Sequence, residues 1–237
     1  MNSIERLSNS VSNNTILSIR TILFLVAFGW VLWRLSIAGW SYFFFLTSWN
    51  WILCSFGFLC GIIYTLAVNN QWKSKTLFRM LHIAMLAIVS TISWIVCLGF
   101  WALLNSIVFG KDVSFQTRWT QTFSHSINLI LAMIDLFASN TNLKFIHVVY
   151  PIGAVLGYQA LVLVGHGGYG TKWPYSFMAK VNGGEDGINW MPMVMMGAAV
   201  VVACVIMYGL CLFLIKIRNR LFPDGKTRAS SVVEVVV

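Results

Sequence analysis

Charge is what this chain has least of. Only 10% of its 237 residues are Asp, Glu, Lys or Arg, against about 25% in an ordinary soluble domain. The deficit falls hardest on the acids, with 7 Asp and Glu beside 16 Lys and Arg. With 58% apolar residues and a mean hydropathy of +0.78, such a composition excludes a water-soluble globular fold. Short alternating apolar segments are also missing, which excludes a transmembrane β-barrel. The apolar runs are continuous instead. The expected fold is all-α, a polytopic membrane protein built as a six-transmembrane-helix bundle. Its single membrane domain fills residues 1–237, with spans near 16–38, 43–68, 79–104, 121–138, 145–165 and 190–216 and a tail at 217–237. Each run is close to or above the ~20 residues that cross ~30 Å of hydrocarbon.

Other absences narrow the chemistry. No cleavable signal peptide is apparent, so the first helix reads as a retained signal anchor. The five cysteines, Cys54, Cys60, Cys97, Cys204 and Cys211, all fall inside expected spans. They build no exterior disulfide framework and serve as small apolar packing. No G-x-S-x-G elbow accompanies His166-Gly167-Gly168, which removes an α/β-hydrolase reading. The four histidines lack the spacing of a helical metal pair, so neither a metal nor another cofactor is expected.

The +9 net charge is distributed for topology rather than for nucleic acid. Six spans place both termini on one side with the loops at 69–78 and 139–144. That side carries Arg6, Arg20, Lys73, Lys75, Arg79, Lys144, Lys216, Arg218, Arg220, Lys226 and Arg228. Only Arg34, Lys111, Arg118, Lys172 and Lys180 lie opposite. The positive-inside rule then puts both termini in the cytoplasm, and the Lys216/Arg218/Arg220 run where it meets anionic headgroups. Membrane lipids are the expected partners. The segment 166–189 reads as a loop, its glycines suited to tight turns.

What polarity remains inside the spans is concentrated. His125, Asn128 and Asp135 fall within roughly 80° of one another at about 100° per residue, one stripe on one helix face. An ionisable group at membrane depth costs on the order of 2–3 kcal/mol or more, and marks a site or a buried pair. On the second span Thr47, Asn50, Cys54, Gly57 and Gly61 recur at steps of three and four. Gly57 and Gly61 form a GxxxG pair that admits a neighbouring helix, and Gly153 and Gly157 repeat that spacing. Thr47 and His125 each lie about five residues inside their entries from the same side, some 7–8 Å deep. A hydroxyl and an imidazole at one depth meet the first condition for an activated nucleophile. Asp135, ten residues beyond His125 and so about 15 Å along the helix, is too far to orient its ring. His166 ends its span on the same side. His82 and His147 begin theirs from the other, where interfacial solvation accounts for both.

These residues carry a resemblance. Tyr42-Phe-Phe-Phe-Leu-Thr47-Ser-Trp49-Asn50 resembles the Y-F-x-x-L-T-x-W segment of the Rolling stone family of membrane proteins. His125-Ser-Ile-Asn128, Asp135, His147-Val-Val-Tyr150-Pro151 and Tyr158 resemble its second signature. More distantly the chain is similar to the androgen-induced and androgen-dependent transmembrane hydrolases. Here Gly157-Tyr158 and Gly170-Thr-Lys-Trp173-Pro174-Tyr-Ser-Phe177 match their ending. That branch implies six spans and hydrolysis of fatty acid esters of hydroxy fatty acids by one Thr and one His, at Thr47 and His125. The Rolling stone branch implies roles in myoblast fusion and at the cell surface.

Two functions follow as expectations. One is an intramembrane hydrolase of long-chain acyl esters, with Thr47 as nucleophile and His125 as base. Asn50, Asn128 or His166 would supply supporting hydrogen bonds, and Asp135 would belong to the stability of the stripe. The other is a non-enzymatic multi-pass protein of the Rolling stone type, acting in cell–cell contact, fusion or differentiation. A transporter fits less well, because no repeat relates the two halves of the chain.

Overall fold

A computed structural model describes residues 12–104, 109, 113–139, 141–169 and 190–221. Six long helices account for nearly all of them: α1 (Asn13–Ala38), α2 (Leu46–Asn69), α3 (Lys75–Gly99), α4 (Phe115–Ala138), α5 (Val149–Tyr169) and α6 (Trp190–Leu221). No strand occurs among the described residues. Local chemistry sets several helix ends. Ser12 and Ser114 cap α1 and α4, each hydroxyl accepting the backbone N–H three residues on, and so satisfying an otherwise orphaned donor. After α1 the chain tightens into a 3-10 turn, Gly39–Phe44, entered through Gly39 at φ 55°. Phe45 is extended and starts α2 afresh. At its far end α3 widens into a π turn, Phe100–Leu104.

The helices alternate in direction and α3 lies at the centre, packed against α2, α4, α5 and α6. Its buried face carries Met85, Leu86, Val89, Ile92 and Val96. Where α2 meets α3, a Cβ on Gly57 would stand 3.0 Å from Val89 Cγ2, so the missing side chain sets how closely these helices approach. The outer faces are apolar. Ile22, Leu25 and Leu32 on α1, and Val202, Ile206 and Phe213 on α6, are exposed, as lipid-facing side chains are. Five helical stretches are long and apolar enough to cross a membrane, containing α1, α2, α3 and most of α5 and α6. This is an all-α polytopic membrane protein. The remaining helix, α4, has 24 residues like α2 but is too polar for that class. It lies against α1, α2, α3 and α6 with Ser124, His125, Asn128 and Asp135 buried.

Several expectations are corrected. The α4 helix starts at Phe115, capped by Ser114, six residues before the apolar stretch expected to span. His125 is ten residues past the helix start. The α6 helix runs to Leu221, so the first residues assigned to the tail are helical. Gly165, Gly167 and Gly168 belong to α5 rather than to a loop. The rest of that expected loop, with Trp173, Pro174 and Phe177, lies outside the described residues, as does the tail beyond 221. Gly153 and Gly157 admit no close neighbour among the described residues, where a Cβ on either would meet nothing within 4 Å. The GxxxG spacing is there without the helix contact. All five cysteines are free and buried.

Candidate active site

The end of the bundle where α1 finishes and α2 begins holds the first of two polar clusters. Thr47 is the second residue of α2, half-buried, and its Oγ1 stands 3.1 Å from His125 Nδ1 on α4. On the same ring, Nε2 lies 3.2 Å from Gln121 Oε1, one turn back along α4. With the Gln121 carbonyl accepting from Nε2–H, Nδ1 carries no proton and accepts the Thr47 hydroxyl. The ring plane is fixed as well. Phe100, borne on the π turn of α3 and 1% exposed, stacks on the imidazole at 4.3 Å and 7°. A hydroxyl, an imidazole and an amide are thus linked in series at 3.1 and 3.2 Å, an arrangement in which the ring could take the hydroxyl proton.

The approach to Thr47 is held by aromatic donors. Trp49 Nε1 donates to Phe43 O at 2.8 Å, and Tyr158 of α5 donates to Phe44 O at 2.8 Å. The Trp49 and Tyr158 rings meet edge to face. Deeper on α2, Trp51 Nε1 donates to Ser124 O at 2.8 Å, and its ring stacks on Phe123. This ties α2 to α4 beside the pair. Tyr42 and Tyr158 are buried and Trp49 is half-buried here.

The other sequence candidates separate. Asn50 is fully buried and exchanges hydrogen bonds with Ser93 of α3, 3.1 and 3.4 Å. Asn128 is fully buried too, and neither of its amide atoms has a partner among the described residues. His166 is buried near the end of α5, at this same end of the bundle. Asp135 lies elsewhere. It anchors a second cluster at the opposite end, where Arg20 Nε donates to its Oδ1 at 2.8 Å. The other Arg20 donors reach Gly61 O (3.0 Å), Thr65 Oγ1 (2.7 Å), His82 Nε2 (2.9 Å) and Ser139 Oγ (2.6 Å).

That cluster corrects three expectations. His82 is wholly buried rather than solvated at the interface, and Arg20 is wholly buried beside it. The guanidinium always donates, so His82 Nε2 is bare and accepts it, while Tyr64 covers the ring. Gly61 makes room for Arg20, whose Nε would stand 2.9 Å from a Cβ there. Arg218, expected among headgroups, turns inward and donates to Leu136 O and Ser139 O at the end of α4. It satisfies carbonyls that the helix leaves unpaired.

Sequence reasoning missed Gln121, Phe100 and Ser93. Gln121 had a signal, its spacing of four before His125 on one helix. Phe100 and Ser93 come from α3 and had none. Among the described residues no three His, Cys, Asp or Glu side chains gather as a metal site would require. Comparison of the chain with protein-family models, with curated proteins and with solved structures finds no match in any of the three.

Proposed function

We propose that this protein is an intramembrane hydrolase of long-chain acyl esters, with Thr47 as nucleophile and His125 as general base. The single observation that carries the reading is the 3.1 Å approach of Thr47 Oγ1 to His125 Nδ1, with the far ring nitrogen engaged by Gln121. A threonine hydroxyl is inert near neutral pH until a base within hydrogen-bond reach takes its proton. In the proposed reaction Thr47 attacks the ester carbonyl and its proton passes to Nδ1. The same nitrogen then returns the proton to the leaving alkoxide. Water repeats the sequence in reverse and frees the acid and Thr47. An ester with a long acyl chain would enter sideways from the bilayer. The same pair of residues underlies the similarity to the androgen-induced hydrolases, and the proposal makes the chain a distant functional relative of them.

The proposed orientation follows the cation bias, with both termini cytoplasmic and the Thr47–His125 pair in the exoplasmic half. On that arrangement Asn13, in the sequon Asn13-Asn14-Thr15, escapes glycosylation in microsomes. A glycan on Asn13 reverses the orientation.

Purified protein in lipid nanodiscs is expected to react with an active-site-directed fluorophosphonate and to hydrolyse a long-chain acyl ester. A wild-type protein that does neither sinks the hydrolase reading. It would favour the second reading, a non-enzymatic Rolling stone-type protein in cell–cell contact or differentiation. What supports that one is the Arg20 cluster, where buried polarity joins four helices through Arg20, Gly61, Thr65, His82, Asp135 and Ser139.

A further inference from the structure

The two asparagines near the candidate site differ in a way that separates their roles. The α2 and α4 helices run parallel, since Thr47 meets His125 near one end and Arg20 links Gly61 and Thr65 to Asp135 and Ser139 near the other. Three residues' advance along each helix carries Thr47 to Asn50 and His125 to Asn128, both about 4.5 Å deeper. The two amides therefore lie at one level along the helix axes, deeper than the Thr47–His125 pair, and both are fully buried. Asn50 has its partner in Ser93. Asn128 has none among the described residues, at Nδ2 or at Oδ1.

A buried carboxamide without partners is worse for folding than a leucine of similar size, because its water is lost and nothing replaces it. Packing gives no reason to keep one there. A group that hydrogen-bonds only when substrate arrives does give a reason. We propose that Asn128 is the oxyanion donor of the hydrolase, a role that rests on the Thr47–His125 reading. As the Thr47 Oγ–carbon bond forms, the carbonyl π pair moves onto oxygen, which becomes the acceptor of Asn128 Nδ2–H. The proton from Thr47 resides on His125 Nδ1 throughout this step. Collapse of the intermediate returns the pair to the carbonyl, breaks the bond to the alkoxide and gives that leaving group the proton. The donor is fully buried, and on this reading it is fixed before charge develops, the condition under which one such hydrogen bond is worth roughly 10²- to 10³-fold in rate.

The test uses full-length protein in nanodiscs, a long-chain carboxylic ester, and its thionoester analogue, whose developing negative charge sits on sulfur. Asn128→Leu is expected to lower kcat on the ester by about 10²-fold or more, with KM changed little, and to raise the melting temperature. Its effect on the thionoester is expected to be smaller. Asn128→Ser, which retains a donor, falls between. If Asn128→Leu fails to accumulate, Asn128→Ala carries the same kinetic comparison. Wild-type activity with an unimpaired Asn128→Leu enzyme overturns the donor role and leaves the hydrolase intact. So does a loss of rate that comes with a lowered melting temperature and equal effects on both esters, the mark of a structural amide. Inactive wild-type protein overturns both proposals.

Discussion

Removing the Asp135 carboxylate should unlock one end of the bundle, and the geometry sets the size of the effect. All five guanidinium N–H groups of Arg20 are engaged, one by Asp135 and four by Gly61, Thr65, His82 and Ser139. Asp135→Ala leaves those four bonds in place but strands a full positive charge in a site with no exposure. Breaking a buried pair from one side typically destabilises by about 3–5 kcal/mol. The surviving bonds, worth roughly 1.5–3 kcal/mol each to a charged group, place this variant near the lower end, about 3 kcal/mol. Arg20→Met loses all five and leaves the carboxylate only Ser139, 3.3 Å away, so it should reach the upper end of that range. The combined Arg20→Met/Asp135→Leu protein carries no stranded charge, and its loss should fall short of the sum by about 1–3 kcal/mol. Thermal unfolding of detergent-purified protein reads this directly. At roughly 2–4 °C per kcal/mol for a chain of this length, Asp135→Ala should melt about 6–12 °C lower than wild type. An unchanged melting temperature, or strictly additive losses in the double variant, would refute the ion pair as a tether.

Three further outcomes are expected. Thr47→Ala and His125→Ala should each remove nearly all ester turnover, the double variant should add little, and Thr47→Ser should retain part of it, all measured as kcat/KM. Equal activity in either single variant would remove that residue from the reaction. Gln121→Leu frees the His125 ring and should lower kcat by about 10-fold or more while KM and melting temperature hold; a normal pH–rate profile with normal kcat would show that the ring needs no orienter. Gly61→Ala pushes a methyl into Arg20 and should cost about 1–3 kcal/mol. Gly153→Ala enters open space and should be neutral or stabilising by up to about 1 kcal/mol, as comparative melting will show.

The two GxxxG pairs show where sequence reading stops. Spacing places small residues on one face and is silent on what that face meets. Gly57 abuts α3, Gly61 abuts a guanidinium, and Gly153 and Gly157 meet nothing. The approach of Thr47 to His125 was legible because each lies on a polar stripe, and such stripes turn inward in an apolar chain. Arg20 was not. It stands alone on α1 near the end of the span, where snorkelling to the interface is the ordinary outcome, and its partners come from three other helices. His82 misled in the same way. Asp135 pointed to the missing cation, since an acid at that depth requires one, but not to which of the sixteen basic residues would answer. The extents of α4 and α6 escaped because caps and backbone hydrogen bonding end a helix, whereas apolarity only marks the part inside lipid.

The polar stripe of α4 has a consequence for how the protein is made. A lone helix with a carboxylate and an imidazole on one face gains little by leaving the translocation channel for lipid, because each charged residue near its centre opposes partitioning by about 2.5–3.5 kcal/mol. The stripe becomes compatible with the bilayer only when its counterparts are present. Thr47 of α2 meets His125, and Arg20 of α1 meets Asp135. Both precede α4 in the chain, so ribosomal synthesis delivers the donors before the helix that needs them. The expected consequence is that α4 enters the bundle by docking onto its predecessors, so that substitutions at Arg20 or Thr47 reduce its integration in a translocation assay.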